Sequence, residues 1–173
     1  MPDSNISDAM RRSVGNVLGR QVAFPVSESD IRRWALAVYY PDSPPERYLD
    51  PAAAEKTRYG GVVAPQEFNP FAWMVAESDA GRPVPGGNNN PDRTEILLGI
   101  PGPGLKFMLN GGMEAEYGVP MRPGDVITSV TRLAGYHERP GRLGLMLFTI
   151  TEDTWTNQDD ELVKRTRLTL IRY

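Results

Sequence analysis

YYPDSPPERYLDPAAAEKTRYGGVVAP, the stretch Tyr39–Pro65, carries the strongest fold signal in this chain. It reads as an acidic, proline-rich loop that leads into a short alanine-rich helix. That helix is predicted over Ala52–Tyr59, with Pro51 suited to its first turn. Gly60 and Gly61 then end the helix. The loop contains no histidine, and its main polar side chains are those of Asp42, Tyr48 and Asp50.

Helices are also predicted on both sides of this stretch. Before it, Ser27 or Ser29 can cap a helix that Pro41 ends, and apolar residues recur there at helical spacing. After it, Gln66–Ala76 is a further helical candidate with an apolar side able to lie across a sheet. A leading helix is expected over Ser4–Leu18, and a brief extended piece, Gln21–Pro25, follows it.

The second half of the chain changes to strand-forming sequence. Four long strands, rich in β-branched and aromatic residues, are predicted over Leu105–Tyr117, Asp125–Glu138, Leu143–Trp155 and Glu161–Tyr173. Because the breaks between them are short and two of the three contain Gly and Pro, an antiparallel meander is expected. Helices followed by a long antiparallel sheet indicate the α+β class. The intervening Gly81–Gly104 is predicted to be a long loop, either a lid or interface flap or a mobile insertion.

Composition narrows the function classes. The length predicts a single domain over residues 1–173, and the net charge of −3 gives no electrostatic reason to expect nucleic acid or a membrane as partner. The polar N-terminus has no signal-peptide core, which fits a cytoplasmic protein. With no cysteine and a single histidine, His137, neither a thiolate nucleophile nor a multi-histidine metal site can exist within one chain.

The stretch Tyr39–Pro65 resembles the active-site loop of the MaoC-like (R)-specific enoyl-CoA hydratases, in particular their N-terminal-type, FAS1-like dehydratase domain. That family has the pattern GD-x-N-P-x-H-x-D, followed by an alanine-rich helix and a Gly-Gly turn. Asp42 matches the first Asp and Asp50 the last, whereas Tyr48 stands near the position of the His, with one extra residue between. The resemblance extends to Leu109–Asp125 and the closing strand. It implies the hot-dog fold, a long antiparallel sheet wrapped around a central helix.

The resemblance also implies a reaction. Members of the family add water reversibly to a trans-2-enoyl thioester, using an Asp–His pair as base and backbone N–H groups to stabilise the enolate oxygen. They need no cofactor or metal, and they act in fatty-acid or steroid metabolism on acyl-CoA or another acyl thioester. The substrate-binding positions that it implies here are Gly60, Gly61, Ala64, Pro65, Asn110 and Gly111.

Several titratable residues have two interpretations. Asp42 is either a remnant catalytic carboxylate or a turn residue, and Tyr48 is either a proton donor or a structural hydroxyl in place of the His. His137 falls at a predicted hairpin turn and is expected at the surface. Glu114 and Glu116 share one strand face and are either an acid–base pair or part of a solvated face. Three arginines near the C-terminus either bind phosphate or belong to a solvated face, namely Arg165, Arg167 and Arg172.

Three functions follow. The first is an acyl-binding subunit of an enoyl-CoA hydratase or acyl dehydratase, paired with a second MaoC-like subunit that supplies the Asp–His pair. The second is a self-sufficient homodimer acting on acyl thioesters as a hydratase or thioesterase. The third is a non-enzymatic acyl-CoA-binding or scaffold protein. Because the histidine is missing from the loop, the first is the leading hypothesis, and catalysis by this chain alone is doubtful.

Overall fold

One antiparallel sheet and four α-helices make up most of the regular structure in this computed structural model, which describes residues 4–73, 75–79, 83–142 and 144–173. The helices are α1 (Asp8–Arg12), α2 (Glu28–Tyr39), α3 (Pro51–Glu55) and α4 (Arg93–Leu98). The strands are β1 (Val17–Ala23), β2 (Val75–Asp79), β3 (Met108–Tyr117), β4 (Thr128–Gly141), β5 (Gly144–Thr156) and β6 (Leu162–Arg172). Single 3₁₀ turns lie at Glu46–Tyr48 and Gly87–Asn89. The predicted α+β class and the four long strands are confirmed.

The strand order is β2-β1-β4-β5-β6-β3, and every pair is antiparallel. Only β4, β5 and β6 form the expected meander, because β3 pairs with β6 at the far edge rather than with β4. The connection from β3 to β4, residues 118–127, is therefore a crossing over the end of the sheet and not a hairpin. Backbone bonds hold this crossing to β6, where Gly118 N–H donates to Val163 O and Val119 N–H donates to Leu162 O.

Helix α2 covers one side of the sheet. Ser27 caps it, as predicted, by accepting a hydrogen bond from Asp30 N–H, and Pro41 follows its end. Ile31 and Ala35 have no solvent exposure. They belong to the inward stripe of the helix, and Ile31 packs in the main core with residues of the sheet and its loops: Ala23, Val26, Ala64, Phe68, Met121, Ile127 and Val163. Trp34 extends this contact edge-on to Phe68, at 5.7 Å between ring centroids.

The helix predicted over Gln66–Ala76 is wrong. Residues 66–73 form turns, and Val75–Asp79 is a strand on the edge of β1. Two side chains explain the difference. Pro70 has no N–H to donate, and Asn69 Oδ1 accepts a hydrogen bond from Phe71 N–H at 2.9 Å, which offers the backbone an alternative to a helix. The helix packed on the sheet is therefore α2, before the loop, and not a helix after it.

Two other predicted helices are shorter than expected. The leading helix covers only Asp8–Arg12, because the Ser13 hydroxyl bonds back to Ala9 O and the chain then turns into β1 through Gly15, whose φ is +91°. Helix α3 ends at Glu55, and the Thr57 hydroxyl donates to Ala54 O. The extended piece expected near residues 21–25 is the end of β1.

The predicted loop Gly81–Gly104 is partly helical in its described portion, since it contains Gly87–Asn89 and α4. Helix α4 brings Glu95 against Arg172, and neither side chain has solvent exposure. Arg172 was expected to share a solvated face with Arg165 and Arg167. It does not, because Arg172 lies an odd number of positions along β6 from each of them, and an odd offset places it on the opposite side of the strand.

His137 lies within β4 opposite Phe148, and their rings stack at 4.5 Å. The expected position at a hairpin turn is wrong, because Pro140 still pairs with Leu145 and the turn begins only after Gly141. No helix in the described part of the chain is both long and apolar enough to cross a bilayer.

Candidate functional site

A cleft of about 850 Å³ opens between α2, the segment that follows α3, and the end of the β3–β6 pair. Its lining combines apolar, aromatic and basic side chains. It is lined by Trp34, Val38, Tyr39, Arg47, Tyr48, Thr57, Arg58, Tyr59, Val63, Ala64, Pro65, Gln66, Glu67, Tyr117, Gly118, Val119, Pro120, Met121, Val163 and Lys164. This mixture of an apolar wall and a few convergent polar groups is typical of small-molecule sites.

Tyr48 reaches the cleft from the 3₁₀ turn Glu46–Tyr48. Arg47 lies over the Tyr48 ring, 4.7 Å from its centroid, and Arg47 Nη2 donates to the Tyr48 hydroxyl at 3.2 Å. This hydrogen bond raises the pKa of Arg47 above its ordinary value. The Tyr39 ring is 6.3 Å away. The Tyr48 hydroxyl therefore accepts a hydrogen bond from a guanidinium, and the described structure gives it no carboxylate or imidazole partner.

Asp42 and Asp50, the two carboxylates that match the family pattern, lie outside the cleft. Asp42 is exposed, and its N–H donates to Tyr39 O in a turn directly after α2. Asp50 is the N-cap of α3, with its Oδ1 accepting from Ala52 N–H at 2.9 Å. Asp50 thus satisfies a helix end, and Asp42 occupies an exposed turn.

Four of the glycine, alanine and proline positions suggested for substrate binding lie at or beside the cleft. Ala64 and Pro65 line it, and Ala64 N–H donates to Met121 O at 2.9 Å. Gly60 and Gly61 adopt φ of +62° and +157° just before this wall. Because no helix begins at Gln66, a helix N-terminus does not supply donors here.

Asn110 and Gly111 lie elsewhere, near the start of β3, whereas the cleft adjoins its end at Tyr117. The register of β3 against β6 shifts between Asn110 and Gly112, and Gly111 is the extra residue of this bulge. The bulge is roughly 20 Å from the cleft along the strand. The structure does not bring these two residues together with the other four.

The residues that sequence reasoning missed are Lys164, Glu67 and Tyr117. Lys164 Nζ lies 2.8 Å from Glu67 Oε2, and the Tyr117 hydroxyl donates to the other Glu67 oxygen. Lys164 is only 9% exposed, with Nζ 5.3 Å from the Tyr117 ring centroid and 5.4 Å from that of Trp155. One signal was available in the sequence, since Lys164 shares a strand face with Leu168 and Leu170.

The glutamates considered for acid–base work lie on the other side of the sheet. Glu114 and Glu116 stand opposite Arg167 and Arg165, and both arginines also contact Glu152. The Glu152 hydrogen bond raises the pKa of Arg167. We call Glu114, Glu116, Glu152, Arg165 and Arg167 the outer charge ladder. Its arginines are 41% and 58% exposed, as expected for a solvated face.

Metal binding finds no support in the described ranges, where no group of three or more His, Cys, Asp or Glu side chains could hold an ion. The polar groups at the cleft include three cations, one carboxylate, one amide and several hydroxyls. They belong to Arg47, Arg58, Lys164, Glu67, Gln66, Thr57, Tyr39, Tyr48, Tyr59 and Tyr117. Such a set suits an anionic or carbonyl-bearing organic ligand.

Comparison with known proteins places the chain in a family and a fold. A family model described as the FAS1-like dehydratase domain region matches residues 12–166. The fold is similar to the ChsH1–ChsH2 complex of Mycobacterium tuberculosis (TM-score 0.65, 20% identity, 89% of this chain and 82% of that one). It is also similar to the HadBC (3R)-hydroxyacyl-ACP dehydratase complex of the same organism (0.56, 18%, 92% and 96%).

A third similar structure is the MaoC-like dehydratase of Rhodospirillum rubrum (TM-score 0.54, 20% identity, 92% of each chain). At these identities the likeness establishes the fold, and the sheet with α2 packed on it is a hot-dog fold, as the resemblance implied. No curated protein sequence matches the chain.

Proposed function

Since the chain belongs to the FAS1-like dehydratase domain family, we propose that it is the acyl-binding subunit of a heteromeric enoyl-thioester hydratase. A second hot-dog subunit supplies the Asp–His pair that activates water. The reaction runs reversibly between a trans-2-enoyl thioester and its 3-hydroxyacyl form. The family supports a dehydratase-type activity, and the division of labour between two chains is the proposal.

The observation that carries this proposal is the composition of the cleft. Tyr48 stands near the position of the family's His, and its hydroxyl accepts a hydrogen bond from Arg47 without an imidazole or carboxylate partner in the described structure. Asp42 is exposed in a turn. The only histidine of the chain, His137, pairs with Phe148, which is roughly 20 Å along β5 from Trp155 beside the cleft. The cleft can hold an acyl group, but its lining includes neither a histidine nor Asp42, so the family's Asp–His pair is absent from it.

The edge strand β3 supports a partner subunit. Nine of its ten residues are exposed, and Leu109 and Met113 are exposed by 53% and 60%. An unpaired strand edge with apolar side chains is a template for another sheet. Strand β3 ends at Tyr117, which lines the cleft, so a subunit docked along β3 reaches the cleft with its own side chains. ChsH1–ChsH2 and HadBC are themselves complexes of two chains.

The reaction can be divided between the two subunits. The partner's base removes a proton from water while the water oxygen bonds to the β-carbon, and the π electrons move to the thioester carbonyl. The resulting enolate takes a proton at the α-carbon, so atoms and electrons balance without a cofactor. This chain contributes the apolar wall of Val63, Val119 and Met121, which orients the acyl group and excludes bulk water.

The test is hydration of crotonyl-CoA and of a bulkier enoyl-CoA by the chain alone and by its complex with a co-purified subunit that has an intact Asp–His loop. We expect turnover from the complex only. In the complex, Asp42→Asn should leave the rate unchanged, whereas replacing the partner's loop histidine by Ala should abolish it.

Two outcomes would overturn the proposal in favour of the alternatives. Full activity from the chain alone, lost in Asp42→Asn, would establish a self-sufficient homodimeric enzyme. Absence of thioester binding by native mass spectrometry, both alone and with a partner, would favour a scaffold protein.

A further inference from the structure

Lys164 is the most buried charged group at the cleft. It extends from β6, its side chain is 9% exposed, and the rings of Tyr117 and Trp155 lie 5.3 and 5.4 Å from Nζ. An ammonium in such a position needs a counter-charge, because an unpaired buried charge is strongly unfavourable. In this structure Glu67 provides that counter-charge at 2.8 Å.

The carboxylate of Glu67 is held less firmly than the groups that bind it. Glu67 is 61% exposed and belongs to the turns of residues 66–73, outside any helix or strand. Its two oxygens meet the Lys164 ammonium and the Tyr117 hydroxyl. Lys164 and Tyr117 are instead paired neighbours on β6 and β3. Lys164 and Tyr117 are therefore two donors, held by the sheet, that together bind one carboxylate, and we call this binding position the seat. In this structure the carboxylate in the seat is that of Glu67, which lies on a loop.

The charge around this seat also favours an anion. The cleft is lined by the cations Arg47, Arg58 and Lys164 and by one acid, Glu67, although the whole chain has a net charge of −3. The two arginines of the outer charge ladder differ from these cleft cations in their counter-charges. Arg165 and Arg167 are each paired with an acid that lies on a strand. If Glu67 moves aside, the cleft keeps three positive groups that no acid of its lining balances.

We propose that Lys164 and Tyr117 form the specificity site of the cleft, and that it recognises a carboxylate on the acyl chain of the substrate. This inference rests on the proposed function, because it assumes that a thioester occupies the cleft. In the free protein Glu67 occupies the seat. In the complex the substrate carboxylate replaces Glu67, which swings into solvent, so the buried ammonium stays paired throughout.

The position of the lysine assigns it to the acyl chain rather than to the phosphates of the thioester carrier. Arg47 and Arg58 are exposed and lie over the rings of Tyr48 and Tyr59, where bound phosphates can remain hydrated. Lys164 is far less exposed and lies near the Trp155 ring, so it suits a small anion that enters with the acyl group.

The experiment measures binding by calorimetry to the full chain, alone and with any co-purified partner. The ligands are glutaryl-CoA, pentanoyl-CoA of equal acyl length without the carboxylate, and free CoA. We expect the wild type to prefer glutaryl-CoA over pentanoyl-CoA by about tenfold, as one charge-assisted hydrogen bond allows. Lys164→Met should remove this preference while pentanoyl-CoA still binds. Glu67→Gln should strengthen glutaryl-CoA binding severalfold, because the competing carboxylate is gone.

Controls separate the possible outcomes. Arg167→Gln, on the outer charge ladder, should leave all three affinities unchanged. If Lys164→Met does not fold, Lys164→Arg should retain the preference for glutaryl-CoA over pentanoyl-CoA. The inference is then tested by Glu67→Gln, and unchanged glutaryl-CoA binding in that variant would contradict it. Equal binding of the two thioesters by the wild type would overturn this inference and leave the proposed function standing. An equal loss of free CoA binding in Lys164→Met would assign the seat to a phosphate and overturn the acyl-carboxylate assignment. Failure of every thioester to bind would contradict the proposed function itself.

Discussion

Arg172 and Glu95 form an ion pair in which both side chains are completely buried. Arg172 Nη1 donates to Glu95 Oε2 at 2.7 Å and to Pro91 O at 2.6 Å, and its Nη2 donates to Thr149 Oγ1 at 2.7 Å. Tyr136 donates its hydroxyl to the same glutamate at 2.6 Å. Nearly every polar atom of this cluster has a partner, so α4 is bound to the sheet by a network that tolerates little change.

Loss of the arginine should be costly. Arg172→Met leaves Glu95 as an uncompensated buried charge and is expected to lower the free energy of unfolding by about 3–5 kcal/mol, measured by urea denaturation. The double variant Glu95→Leu, Arg172→Met should lose less than the single one. Arg167→Met, which breaks an exposed pair with Glu152, is the matched control and should change stability little. Equal losses at positions 167 and 172 would contradict this account of the network.

Tyr136 makes the network sensitive to alkaline pH. Burial and the Glu95 carboxylate raise the pKa of its hydroxyl above the ordinary value of 10.0. The folded state thus holds this proton more tightly than the unfolded state does, and stability present below about pH 10 is lost as the pH rises further. We expect the unfolding free energy to fall above pH 10, and to fall less steeply in Tyr136→Phe. The same slope in both proteins would show that another group is responsible.

At the scale of elements, two glycines mark bulges in long strands but differ in their surroundings. A Cβ at Gly111 would lie 2.9 Å from Ile171 Cγ1 and from Thr169 Cγ2 on β6, and both neighbours are β-branched and stiff. A Cβ at Gly135, at the bulge of β4, would meet nothing within 4 Å. The bulge on β3 therefore requires glycine for close strand approach, whereas the one on β4 does not.

These surroundings predict different effects of the same substitution. Gly111→Ala should destabilise the protein by about 1–3 kcal/mol, because the added methyl group forces β3 and β6 apart. Gly135→Ala should be neutral within about 0.5 kcal/mol. Thermal unfolding followed by circular dichroism compares the two variants. A neutral Gly111→Ala would mean that β3 can shift without loss, and that the bulge is not held by contact with β6.

At the scale of the whole molecule, the exposed edge β3 is the surface that a partner subunit is proposed to cover. Met113→Glu places a charge at its centre, where burying it would be unfavourable. We expect this variant to remain folded but to lose the complex, as seen by size-exclusion chromatography with light scattering. Val14→Glu, at a residue 44% exposed beyond the end of α1, is the control and should assemble normally. Unchanged assembly of Met113→Glu would exclude β3 as the interface.

Much of this architecture was predictable because it depends on local rules. The strands follow from β-branched and aromatic runs broken by Gly and Pro, and α2 follows from a serine cap, an apolar stripe and a terminal proline. The same rules gave a wrong prediction at Gln66–Ala76. The apolar residues there have helical spacing, but Asn69 and Pro70 favour turns. The place of β3 beside β6 also could not be predicted, since a strand's partner depends on how the chain crosses the sheet.

For the candidate site, the sequence by itself determined the family resemblance, the missing loop histidine and the wall around Ala64 and Pro65. Only the tertiary structure decided that Lys164, Glu67 and Tyr117 meet, because β3, β6 and a turn bring together residues far apart in the chain. It likewise placed Arg172 inside and Asp42 outside. Residue type shows which chemistry is available, but burial and neighbours decide which charges can act, because the cost of an unpaired charge depends on its surroundings.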